Sequence, residues 1–201
     1  MEMMTALRPE TLRHLVLGEG VLIEGLRPER GLTAEGLTAY VERAGAVGGL
    51  LGVTAKGCFE VRRTFHEVRL AGQTGPVAGL RVPAWTEASL SGELAEVSPE
   101  NLTRLLGMDP ARTAGGTALT LPEAVGPPDL GSLCWIGDTA DGGRLLICLS
   151  HAVSAESPRL AFSRDGHAQL SFRFVAQAGA EAGEEEAPFE VLRIDPAEAD
   201  P

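Results

Sequence analysis

The chain has 201 residues, enough for one domain with a real core. With 17 basic against 28 acidic residues its net charge is −11, which excludes a surface coated for gripping nucleic acid phosphate. Aromatics are only 4%, so the core must rest on Leu, Val, Ile and Ala, and the 25 Gly and 13 Pro favour many short strands over long helices.

Residues 1–13 read as a polar N-terminal arm, with no apolar signal-peptide core. Leu15, Val16 and Leu17 form a first strand, Gly18, Glu19 and Gly20 a turn, and Val21, Leu22 and Ile23 the returning strand. A loop covers residues 26–32. Thr33 then caps a short helix carrying Leu37, Tyr40 and Val41 at helical spacing and ending at Gly45. The Gly-rich run 45–57 is ambiguous and reads as a loop feeding a strand. From Lys56 the pattern is strand: Phe59, Val61 and Arg63 alternate with Glu60, Arg62 and Thr64.

After a turn at residues 71–76, an extended segment runs from 77 to 97. It has about 21 residues, or roughly 65–70 Å if fully extended. Pro83 marks an edge or a break. Ala88, Leu90 and Leu94 form its dry face; Glu87, Ser89, Ser91 and Glu93 form its wet face. Ser98, Pro99 and Glu100 open a helix, Leu102, Leu105 and Leu106 give its stripe, and Gly107 closes it. Residues 108–131 read as a loop with one weak strand at 118–121. Strands follow at 133–136 and 145–149, the latter apolar on both faces as between two layers. Arg164, Asp165 and Gly166 make a turn. Leu170, Phe172, Phe174 and Ala176 alternate with Gln169, Ser171, Arg173 and Val175 in the clearest strand of the chain. An acidic linker, 178–187, leads to a last strand, 189–194, and a C-terminal tail. The organisation expected is thus an arm (1–13), a β-rich core (14–177), and a linker, strand and tail (178–201).

No enzyme signature emerges. His14, His66, His151 and His167 lack metal-ligand spacing. Ser150 and His151 with Asp138 or Asp141 have the residue types of a hydrolase set, but no nucleophile elbow. Gly48, Gly49 and Gly52 lack the Gly-Lys-Ser/Thr close of a phosphate loop. Cys58, Cys134 and Cys148 are odd in number and widely spaced, which argues against a disulfide framework; Cys134 and Cys148 read as small buried hydrophobes. Trp85 and Trp135 suit core or interface anchors, or sugar stacking in a binding module.

Four blocks carry a family resemblance: GAVGGLLGVTAKGCFEV (45–61), AGQTGPVAGL (71–80), WTEASLSGELAEVSPENLTRLLG (85–107) and LSFRFVAQAGAEAGEEEAPFEV (170–191). In this order and spacing they resemble bacteriophage major tail tube proteins. The resemblance implies a mainly β fold, with two packed β-sheets, sandwich- or barrel-like, and a short flanking helix. It implies a structural subunit with no cofactor and no membrane. Its copies would form hexameric rings stacked into a tube in the virion tail, assembled in the host cytoplasm around a tape measure protein and capped by a tail terminator protein. DNA would pass through the lumen without specific binding. Glu87, Ser89, Ser91, Glu93 and Glu96 are the lumen-facing candidates, and Gln73, Thr74, Gly75, Pro76, Val77 and Trp85 the candidates for contact between copies. The alternatives are a β-sandwich module binding a glycan or a protein, and the inner tube of a contractile injection machine.

Overall fold

The computed structural model describes residues 16–27, 31–47, 49–69, 71–72, 74–75, 77, 79–121, 130–156, 158–162, 168–178 and 188–196. The expected N-terminal arm, the turn at Arg164, Asp165 and Gly166, and most of the acidic linker lie outside them.

The fold is mainly β. Nine strands form one curled antiparallel sheet in the order β11-β7-β6-β1-β2-β3-β10-β8, with β9 also paired to β10. The strands are β1 (Val16–Glu24), β2 (Leu50–Glu67), β3 (Arg81–Leu94), β6 (Leu133–Thr139), β7 (Arg144–Leu149), β8 (Ala152–Ser154), β9 (Arg159–Ala161), β10 (Gln169–Ala176) and β11 (Phe189–Ile194). A separate hairpin, β4 (Asp109–Thr113) with β5 (Gly116–Thr120), forms a second small sheet. The two packed layers are the two halves of the curled sheet. Its concave face gathers Leu90, Leu94, Phe172 and Phe174 from one half against Trp135, Ile147 and Leu149 from the other. The rings of Phe59 on β2 and Phe189 on β11 meet edge-on at 5.5 Å across this core. β11 pairs with β7 from Phe189↔Leu149 to Ile194↔Arg144, so the last strand belongs to the core sheet.

The convex face divides. Helix α1 (Ala34–Ala46) covers the β11-β7-β6-β1 half. The Thr33 hydroxyl accepts from Gly36 N at 3.2 Å as its N-cap, and Leu37 and Ala44 are buried against Ile23, Cys134, Ile136, Leu146 and Cys148. Among the described residues no helix covers the β2-β3-β10 half, where the alternate residues are polar. Helix α2 (Pro99–Leu106) is capped by the Ser98 hydroxyl at 3.1 Å and closed by Gly107 at φ 62. Its buried Asn101 donates to the carbonyls of Leu51 at 2.6 Å and Glu96 at 3.1 Å, tying the helix to the start of β2 and the end of β3.

Several expectations are corrected. Gly18, Glu19 and Gly20 make no turn; they lie inside the single strand β1. Gly20 is there for packing: a Cβ on it would meet the Trp135 ring at 2.4 Å. β2 starts at Leu50, inside the Gly-rich run, with Gly52 at φ +114 and Lys56 at φ 60 where the ladder to β3 shifts between Ala55 and Cys58. The segment 77–97 holds a 14-residue strand, and Pro83 sits within it, next to a second register shift. The loop at 108–131 contains the β4–β5 hairpin rather than one weak strand. Cys134 and Cys148 form a disulfide, because the β6–β7 register sets them directly opposite each other. Cys58 is free and exposed.

Candidate functional site

Strands β2 and β3 outrun the rest of the sheet. The pairing of β1 with β2 stops at Thr54, and that of β10 with β3 stops at Ser89. β2 and β3 stay paired with each other out to Glu67↔Arg81. From Arg62↔Glu87 outward the hairpin is therefore a two-stranded arm about 20 Å long, with neither edge paired to another strand among the described residues. An isolated hairpin of this kind is marginally stable in water. The arm is also apolar where solvent would favour polar residues: Phe65, Val68, Val77, Val82 and Trp85 are exposed, Trp85 by 66%. Arg81 lies over the Phe65 ring at 5.0 Å. Beside these are four arginines (Arg62, Arg63, Arg69, Arg81) against two glutamates (Glu67, Glu87), so the arm is cationic on a chain of net charge −11.

The expected contact residues fall on this arm where they are described. Trp85 is on its β3 side, and Thr74, Gly75 and Val77 are at its outer end. Gln73 and Pro76 lie outside the described residues. Phe65 and Val82 belong with them, and sequence reading passed over both. The signal was their position beyond Val61↔Ala88, the outermost pair packed on the core, which periodicity alone does not mark.

Of the expected lumen residues, Glu87, Ser89, Ser91 and Glu93 lie on the uncovered convex face of β3 and Glu96 follows the end of that strand, yet they are not alike. Ser89 is buried, 4% exposed. Ser91, Glu87 and Glu93 are half-buried and Glu96 is exposed. Three ion pairs cross this face: Lys56 Nζ to Glu93 Oε2 at 3.1 Å, Arg62 Nε to Glu60 Oε1 at 2.9 Å, and Arg173 Nη1 to Glu156 Oε1 at 2.7 Å. They line an open groove of 380 Å³. The hydrogen bond from Arg62 holds the Glu60 carboxyl below its usual range, and Glu60 in return raises Arg62. The face thus carries both signs in alternation instead of a uniform negative field.

The residues of the imagined hydrolase set stay apart. Asp138 and Asp141 belong to the β6–β7 end of β7, paired with Arg144 and Arg193. Ser150 and His151 follow the other end of that six-residue strand, on the order of 20 Å away. Trp135 is a core residue and Trp85 an exposed one. Among the described residues, no three His, Cys, Asp or Glu side chains are grouped to hold a metal ion, and no helix is long and apolar enough to cross a membrane. No protein-family model matches the chain, and no curated protein matches it.

Proposed function

We propose that the chain is a structural subunit of a phage tail tube, whose copies form stacked hexameric rings around a DNA-conducting lumen, with a tape measure protein inside and a terminator protein at the end. The observation that carries this reading is the β2–β3 arm. It exposes Phe65, Val82 and Trp85 on a ribbon whose two edges are unpaired among the described residues, a feature that a protein working alone would have to blunt. A neighbouring copy can cover the apolar side chains and add strands to the edges. Among the described residues the curled sheet does not close either: β11 lies at one edge and β8 and β9 at the other. Edges of different sequence on one molecule suit a heterologous contact, which generates rings and filaments. The injection-machine inner tube shares this design.

The mixed-sign face bears on the lumen. Repulsion of DNA would come from the net charge of −11 spread over each copy, while the face itself presents cations already occupied by glutamates. The glycan-binding alternative draws on a single observation, the exposed Trp85 ring beside polar strand residues. Negative-stain imaging of concentrated protein separates the two: rings or tubes support the tube subunit, whereas dispersed particles that retain a glycan on an array support the binding module.

A further inference from the structure

A reactive group lies on the covered half of the convex face, away from the arm and the groove: the Cys134–Cys148 bond. Cys134 is 0% and Cys148 5% exposed. The pair shares one apolar layer with Ile23, Ile136 and Leu146 of the sheet and with Leu37 and Ala44 of α1. On the sheet side the sulfurs are closed in by backbone ladders, since β6 is paired to β1 and β7, and β7 to β6 and β11. On the other side stands α1, held by side chains instead of a ladder. The Tyr40 hydroxyl donates to the Gly25 carbonyl at 2.8 Å, and Arg144 Nη1 donates to the Thr38 hydroxyl at 3.4 Å. The helix is a weak cover by itself. Thirteen residues are marginal for a helix in water, and Gly36 and Gly45 lower its propensity further.

We infer that Cys134, Cys148 and α1 form a redox-sensitive lid: the bonded pair seats the helix on the sheet, and reduction by a dithiol releases it. The dithiol's thiolate attacks one cysteine sulfur, the S–S bond breaks, and the other cysteine leaves as a thiolate. The second thiol of the reductant then breaks the mixed disulfide. The reductant ends as its own disulfide, and its two protons end on Cys134 and Cys148. The first attack needs access to a buried sulfur, so α1 lifts before the bond is cut. Two thiols need more room than the bonded pair, and a close-packed layer yields where it is weakest, which is again α1. Release uncovers Ile23, Ile136 and Leu146. The lid goes beyond the tube reading and acts within one copy of the chain.

The rate of reduction tests the lid. Folded protein is incubated with dithiothreitol, and thiols are alkylated at intervals and counted by mass spectrometry, rising from one to three. Opening of α1 alone exposes little surface, so the rate stays nearly flat in urea below the unfolding transition. Leu37→Ala, which loosens the lid, speeds reduction about tenfold. Gly45→Ala, where a Cβ meets nothing within 4 Å, firms the helix and slows reduction about threefold. In the reduced protein the α1 amides gain about tenfold more in hydrogen exchange than those of β10. A rate that climbs with urea as steeply as unfolding of the whole chain overturns the lid. So does a wild-type rate in Gly45→Ala, or α1 exchange that gains no more than that of β10. The urea slope, Gly45→Ala and the exchange data decide the matter even where Leu37→Ala does not fold. None of these readouts depends on association between copies, so failure of the lid leaves the tube reading standing, and the reverse holds.

Discussion

Trp135 donates its indole N–H to the hydroxyl of Thr54 at 2.9 Å, and that hydroxyl donates onward to the Gly20 carbonyl at 3.0 Å. The relay ties β6 to β2 and β2 to β1 at Gly20↔Thr54, where the pairing of β1 with β2 ends. Gly20 and Gly137 leave room for the ring: a Cβ on Gly137 would meet it at 2.1 Å. Thr54→Val keeps the shape but strands a buried N–H and a carbonyl, at a cost of about 1–3 kcal/mol. Thr54→Ser keeps the hydroxyl and costs less. Urea unfolding of the two variants checks the order.

The Cys134–Cys148 disulfide closes a 14-residue separation across the β6–β7 hairpin. A loop of that size is worth about 3 kcal/mol through restriction of the unfolded chain. Cys134→Ser with Cys148→Ser, or reduction of the wild type, therefore lowers the unfolding free energy by roughly 2–4 kcal/mol. Thiol titration of the denatured protein, with and without reductant, confirms the bond: one free thiol before reduction and three after it.

Asp141 is held below its ordinary carboxyl pKa, first by the Thr139 hydroxyl, then by Gly143 N–H and the Arg193 guanidinium. A carboxyl with a depressed folded pKa stabilises the fold fully above its unfolded value, and this contribution fades as pH falls through the folded value. Thermal unfolding followed from pH 6 down to pH 2 (about two units either side of the usual carboxyl value) should thus lose stability more gradually in Asp141→Asn than in wild type. Parallel curves would remove Asp141 from the account.

Removing the acids from the groove exposes its cations. Glu60→Gln, Glu93→Gln and Glu156→Gln together free Arg62, Lys56 and Arg173. Wild type should not retain double-stranded DNA at low salt, while the triple variant should, with a log–log salt slope of about −3 for three phosphate contacts. A mobility-shift titration at several salt concentrations measures both.

Much of the fold was legible because local chemistry and tertiary packing agreed. The alternation of Leu170, Phe172 and Phe174 with Ser171 and Arg173 is the pattern of a half-buried strand, and β10 is one. Ser98, Pro99 and Gly107 mark both ends of α2 at the residue. The misreadings involve residues whose reason lies on another strand. Gly20 serves the Trp135 ring and Gly52 the Glu96 side chain, so glycine signalled a turn where it provides space. The disulfide depends on the β6–β7 register, which cysteine spacing does not encode. The wet face of β3 was visible as alternation, but the Lys56 that neutralises its Glu93 comes from β2. The arm was legible as excess strand length, and its apolar outer half was not, because nothing in the period of β2 changes at Arg62.

Sedimentation velocity over a concentration series tests the central claim most directly, with wild type compared against Phe65→Ser, Trp85→Ser. Wild type is predicted to grow in mass with concentration to ring-sized and larger species, and the variant to sediment as a folded 21.1 kDa monomer. A wild type that holds a monomer's mass at every concentration, or a variant that assembles just as readily, would contradict the role assigned to the arm.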